Sequence, residues 1–141
     1  MLGTVLVVWM LVDSFETLLA TNLRSGRWSF TRGYYGVLWP VYRRMCLALR
    51  SDDRRERWLA RFGPASFLGL LVAWVVLEIV GWGLIWWGLR SGFHGAIGSP
   101  GDAWYYSGVV YFSIGFGDIL PSSGLLRALT VVEGLSGLGT L

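Results

Sequence analysis

The sequence predicts an all-α membrane protein containing an apolar loop that enters the bilayer and leaves by the same face. Three observations carry this. Residues 67–89 read FLGLLVAWVVLEIVGWGLIWWGL, 23 residues with one charge, Glu78, and roughly 20 apolar residues suffice to span the hydrocarbon core. Ten of the twelve Arg lie between Arg24 and Arg61, against only Asp52, Asp53 and Glu56, so that stretch carries +7. The positive-inside rule places it in the cytoplasm. Both ends of residues 90–124 then lie outside, yet residues 103–112 between them are nearly all apolar or aromatic.

Composition narrows the function classes. Hydrophobic residues make up 54% of the chain, with a mean hydropathy of +0.53 and nine Trp. That is high for a soluble domain, and Trp favours membrane–water interfaces. One cysteine, Cys46, and one histidine, His94, exclude an intrachain disulfide and a cluster of soft metal ligands. No Ser/His/Asp or paired-acid arrangement can be placed in one cavity, so the chain is not expected to be an enzyme. Gly115-Phe116-Gly117 is no dinucleotide fingerprint, because the next required glycine falls on Leu120.

Taken in order, residues 1–21 are expected to form an N-terminal transmembrane helix running outside to inside. Asp13 and Glu16 share a face with Trp9 and Ala20, so the acids face protein or reach the Arg-rich interface. A cleavable signal peptide fits less well, since it would need a positive n-region and would export the +7 stretch. Residues 22–63 form an Arg-rich cytoplasmic linker, amphipathic over Leu38, Val41, Tyr42, Met45 and Leu49. Arg50, Arg54, Arg57 and Arg61 fall on one stripe, but SDDRRERWLAR is too polar to span as a voltage sensor. Attraction to anionic lipid is the expected role, with a plain solvated face as the alternative, and no nucleic acid is expected.

Residues 64–141 make the last unit. A helix is expected over 65–90, opened by Gly63-Pro64 and closed beside a belt of Trp82, Trp86 and Trp87. A short helix follows over 103–112, with Asp102 as its N-cap after the Ser99-Pro100-Gly101 turn. Extended backbone is expected over 113–118 and a final helix over 125–141. Seventeen residues give about 25 Å, short of a crossing, so the chain is expected to be truncated at its C-terminus. Non-helical backbone at membrane depth survives only where it lines a cavity or is enclosed by protein. Gly115 and Gly117 would let successive carbonyls turn to one side, as oxygens that replace an ion's hydration shell.

The stretch DAWYYSGVVYFSIGFGDILP, residues 102–121, resembles the pore helix and selectivity filter of potassium channels, whose filter reads T-V-G-Y-G-D with a proline shortly after. The resemblance implies an outer helix (65–90), a re-entrant pore helix (103–112), a filter (113–118) and an inner helix (125–141). It implies that Ser113, Ile114, Gly115 and Phe116 coordinate K⁺, that Gly117 turns the strand outward, and that Asp118 sits at the outer mouth. Phe116 departs from Tyr and lacks its hydroxyl. Val109 stands where some relatives place a Glu that pairs with the filter Asp. Tyr105 and Tyr106 are expected to support the filter as an aromatic cuff.

Two membrane acids leave alternatives open. Glu78 is either a protonated or hydrogen-bonded packing residue, or a contact behind the filter or with the first segment that tunes gating. Glu133 shares a face with Leu126, Thr130, Gly137 and Thr140; it lines the cavity or braces the pore helix. Gly134, Gly137 and Gly139 are a gating hinge or sites of close packing. The expectation is a potassium-selective channel subunit, a homotetramer in the cell membrane, with no cofactor beyond permeant K⁺. The alternative is a non-selective cation pore or a non-conducting regulatory subunit.

Overall fold

The structure is a computed structural model that describes residues 1–19, 29–47, 52–95 and 97–140. These form five helices: α1 (Leu2–Leu19), α2 (Phe30–Leu47), α3 (Asp52–Gly88), α4 (Pro100–Tyr111) and α5 (Gly124–Thr140). Two short strands, β1 (Phe93–His94) and β2 (Leu120–Pro121), complete it. The architecture is that of an all-α membrane protein. Arg24, Arg27, Leu49, Arg50 and Ala20, on which parts of the linker and first-segment readings rest, lie outside the described residues.

The central element is α3, whose 37 residues reach about 55 Å, against roughly 30 Å of hydrocarbon. Its part from Arg55 to Gly88 is long and apolar enough to cross a membrane. The expected helix start at Gly63-Pro64 is not a terminus, because α3 passes straight through it. Pro64 forfeits the intrahelical bond to the Ala60 carbonyl, while other bonds fasten the helix just beyond it. Ser66 Oγ donates to the Gly63 carbonyl at 3.0 Å, and Tyr34 OH donates to the Ser66 carbonyl at 3.0 Å. Farther down, Tyr42 OH donates to the Trp58 carbonyl at 2.7 Å, and Tyr35, Trp39 and Tyr42 surround the Phe62 ring. Thus α2 runs antiparallel along the lower half of α3, so the expected 22–63 linker belongs partly to one long helical hairpin.

The first helix also runs antiparallel to α3. Gly3 lies on Gly81, Val7 packs beside Gly81, and Met10 joins Leu70 and Trp74 in a buried inner cluster. Of the two acids expected on one face, Asp13 is buried and points at protein. It accepts from Ser29 Oγ (2.7 Å), from Thr31 Oγ1 (2.7 Å) and N–H (3.1 Å), and from Trp74 Nε1 (3.1 Å). Four donors satisfy the carboxylate, which is how a buried acid is tolerated. Its partners tie the start of α2 to α1 and α3. Glu16 goes elsewhere, to a groove between α1 and α5. A second cluster, built on Trp82, Trp86, Tyr106 and Leu126, fills the other half of the molecule.

Candidate functional site

The short fourth helix begins one turn earlier than expected. Pro100 occupies its first turn, where a missing N–H costs nothing, and the N-cap is Ser99. Asp102 is therefore not the N-cap but the third helical residue of a capping box. Ser99 Oγ accepts the Asp102 N–H at 3.2 Å, and the Asp102 carboxylate accepts the N–H groups of Ser99 (2.8 Å) and Gly98 (2.9 Å). These bonds, chiefly those to Ser99, hold the Asp102 carboxyl below the ordinary carboxylate range.

At the other end, α4 closes with a Schellman motif. The Ile114 N–H donates to the Val109 carbonyl and the Ser113 N–H to the Val110 carbonyl, both at 2.9 Å. Such a cap requires a left-handed residue just past the helix, and here that residue is Ser113, at φ 55°. Two residues on, Gly115 has φ 67°, and two further, Gly117 has φ 76°. A Cβ on either glycine would meet nothing within 4 Å. Backbone conformation, not space, is what calls for glycine at both. The segment 113–118 thus alternates in backbone hand, and every residue of it is exposed.

The path of the chain is re-entrant. Tyr106 touches Thr130, Ser107 touches Glu133 and Tyr111 touches Thr140, so α4 runs parallel to α5. The chain then returns through 113–119 to β2, which pairs antiparallel with β1: Phe93 opposite Pro121, His94 opposite Leu120. Ser122 N–H and Oγ both bond the Gly92 carbonyl, at 2.9 and 2.6 Å. Entry and exit therefore lie at the same end of α3.

The two tyrosines expected to back this segment separate. Tyr105 does so: its ring stacks parallel to Phe116, centroids 6.4 Å apart, and its hydroxyl donates to Asp118 Oδ2 at 2.8 Å. Tyr106 does not. It is one residue on, about 100° around the helix, buried edge-on against Trp86 and Phe93 with its hydroxyl on Thr130. Asp118 is consequently held although Val109 carries no acid.

Behind α4 the polar stripe of α5 is used in full. Glu133 is fully buried; it accepts from Ser107 Oγ at 2.5 Å and from Trp86 Nε1 at 2.7 Å. It faces the back of α4, and the reading in which it lines an open cavity is overturned. Gly137 lies flat on the Tyr111 carbonyl with no room for a Cβ. It is a site of close packing, whereas Gly134 and Gly139 are less confined. The Tyr111 and Thr140 hydroxyls bond one another. Glu78 is also fully buried, with both oxygens outside hydrogen-bonding geometry to any described residue; Ser136 and Tyr111 are its polar neighbours. Trp86 and Ser107, as ligands of Glu133, had no signal in the sequence beyond their placement on apolar helices.

Comparison with known proteins fits this geometry. Residues 67–141, just over half of the chain, match the family described as Ion channel. The chain belongs to the ion channel family. The family and the relative described next place the chain in a membrane. The chain is also 31% identical, over 146 aligned residues, to the uncharacterized membrane protein YdjJ of Bacillus subtilis (strain 168). The alignment covers 99% of this chain and 40% of that relative, so the chain spans less than half the length of the relative it matches. No solved structure matches it.

Proposed function

We propose that the protein is a potassium-selective channel subunit, four copies of which close one pore. The observation that supports this reading best is the alternation of positive φ at Ser113, Gly115 and Gly117 directly after α4. Left- and right-handed residues in turn direct successive carbonyls to one side of the strand. Around a fourfold axis the carbonyls of Ser113, Ile114, Gly115 and Phe116 stack as rings that replace water around K⁺. The C-terminal end of α4 contributes its partial negative charge to the inner end of those rings. Asp118 lies at the outer mouth, held by Tyr105. The hydroxyl that Phe116 lacks is supplied from α4 instead, one ring away.

In this reading the Arg-rich stretch is cytoplasmic and the loop enters from outside. Glu133 with Ser107, and Tyr111 with Thr140, transmit displacements of α5 to the filter. The test is the reversal potential of the purified protein in a planar bilayer, K⁺ on one side and Na⁺ on the other. A value near the K⁺ equilibrium potential, lost in Gly115→Ala, is expected. A value near zero with open conductance would make the pore non-selective, and silence from an intact tetramer would point to a regulatory subunit.

A further inference from the structure

Three acids are buried among the described residues, and Glu78 differs from the other two. Asp13 accepts from Trp74, and Glu133 from Trp86 and Ser107, whereas neither Glu78 oxygen has a partner among the described residues. Its polar neighbours are Ser136 and Tyr111, and neither has a hydrogen to spare. The Ser136 hydroxyl donates to the Glu133 carbonyl at 2.7 Å. Thr140 Oγ1 donates to the carbonyls of Ser136 (3.1 Å) and Gly137 (3.2 Å), so the hydrogen between Tyr111 and Thr140 comes from Tyr111. Both hydroxyls thus offer Glu78 lone pairs. A carboxylate can use none of these, while a neutral carboxyl has a hydrogen to turn toward them.

The surrounding charges act in the same direction. Glu133 on α5 is a second acid whose charge reaches Glu78, and Asp13 on α1 is held by Trp74, one turn back along α3. Tyr111 is the titratable group that α4 contributes. No basic residue occurs in α1, in α4 or in α3 beyond Arg61, and Arg127 lies at the other end of α5, on the Pro121 carbonyl. One donor is unused. Trp82 Nε1, four residues on along the same face of α3, is also buried without a partner among the described residues. We propose that Glu78 is a proton-binding site that clamps the end of α4 to α5. With the proton bound, the carboxyl rests against Tyr111 and Ser136. When the proton passes to solvent, the carboxylate turns to the Trp82 N–H and the clamp opens. Tyr111 ends α4 with its carbonyl on Gly137, so in the pore proposed above the clamp adjoins the inner end of the filter. That consequence rests on the proposed pore. The proton site does not, and neither of its readouts is conductance.

The experiment is infrared spectroscopy and amide exchange on the full chain in nanodiscs across a pH series. At neutral pH, Glu78→Gln should lose a protonated-carboxyl band that Glu133→Gln keeps. In the unaltered chain that band should fade as the pH rises. Over the same interval, amide exchange at residues 136–140 should quicken about tenfold more than in Glu78→Gln, the change that loss of one buried hydrogen bond makes. Trp82→Phe removes the donor for the ionised carboxyl and should move the fading to higher pH. A band that Glu78→Gln leaves intact, its absence from the unaltered chain, or exchange that quickens equally in both chains would overturn the site. Should Glu78→Gln fail to fold, the Trp82→Phe shift decides alone, and fading at an unchanged pH would overturn the clamp.

Discussion

At the scale of single residues, the glycines and acids of the loop were legible because their chemistry is unusual in an apolar setting. Gly115 and Gly117 stood out in the sequence, and both take the left-handed backbone that only glycine adopts freely. Ser113 was expected in the filter, but its positive φ was not legible, because it belongs to the cap of α4, a property of the turn rather than of serine. Substituting Gly115 with Ala places a Cβ at φ 67°, a strain of about 1–2 kcal/mol per strand. In the proposed tetramer this strain recurs in every strand, so the substitution should abolish the K⁺ selectivity proposed above in reversal-potential measurements while the oligomer survives. Glu133 was legible as important but not in direction, since a polar stripe facing water and one facing polar partners look alike. Its partners now set the expectation. Glu133→Ala leaves the Trp86 N–H and the Ser107 hydroxyl buried without acceptors, at about 1–3 kcal/mol each. Thermal unfolding in detergent should show that loss. Glu133→Gln, which can still accept from Trp86, should lose distinctly less; equal losses would mean that the hydrogen bonds are not what matters.

At the scale of elements, helix existence was readable and helix ends were not. The apolar run of α3 ended at Gly88, one residue from the last apolar position expected, but its beginning was misplaced because Gly63-Pro64 is a strong local stop signal. Tertiary contacts from Tyr34, Tyr42 and the aromatic cluster on Phe62 override it. Likewise Asp102 looked like a cap because it precedes the apolar run, whereas Pro100 starts the helix and leaves Asp102 as the returning half of a box. Ser99→Ala should destabilise the start of α4 by about 1 kcal/mol, seen as faster amide exchange in its first turn. The acid dependence has a definite sign. Since the Asp102 carboxyl is held below its ordinary range, its contribution is complete at neutral pH. It should persist on acidification to about pH 5 and be lost as the pH falls below about 4. Exchange in the first turn of α4 that quickened already near pH 6 would assign the effect to another group.

At the scale of the whole molecule, the single chain is an incomplete object. The alternating segment 113–118 is exposed along its length, yet its carbonyls cannot face lipid, where unpaired backbone has no partner. Enclosure by protein around a water-filled axis is the remaining solution, and one chain supplies only one strand toward it. The face of α5 opposite the Glu133 stripe carries Val131, Leu135 and Leu138, all more than 60% exposed. These side chains can meet lipid or a neighbour, and the proposed pore gives them the neighbour. In the proposed pore, four strands close a ring of carbonyls at the distance an ion needs. Native mass spectrometry of the channel in nanodiscs should therefore give four chains, and Leu138→Asp, which puts a charge into that face, should shift the population to smaller species. A conducting dimer or monomer of these residues would overturn the proposed tetramer, in which four strands enclose the backbone that Ser113, Gly115 and Gly117 turn to one side.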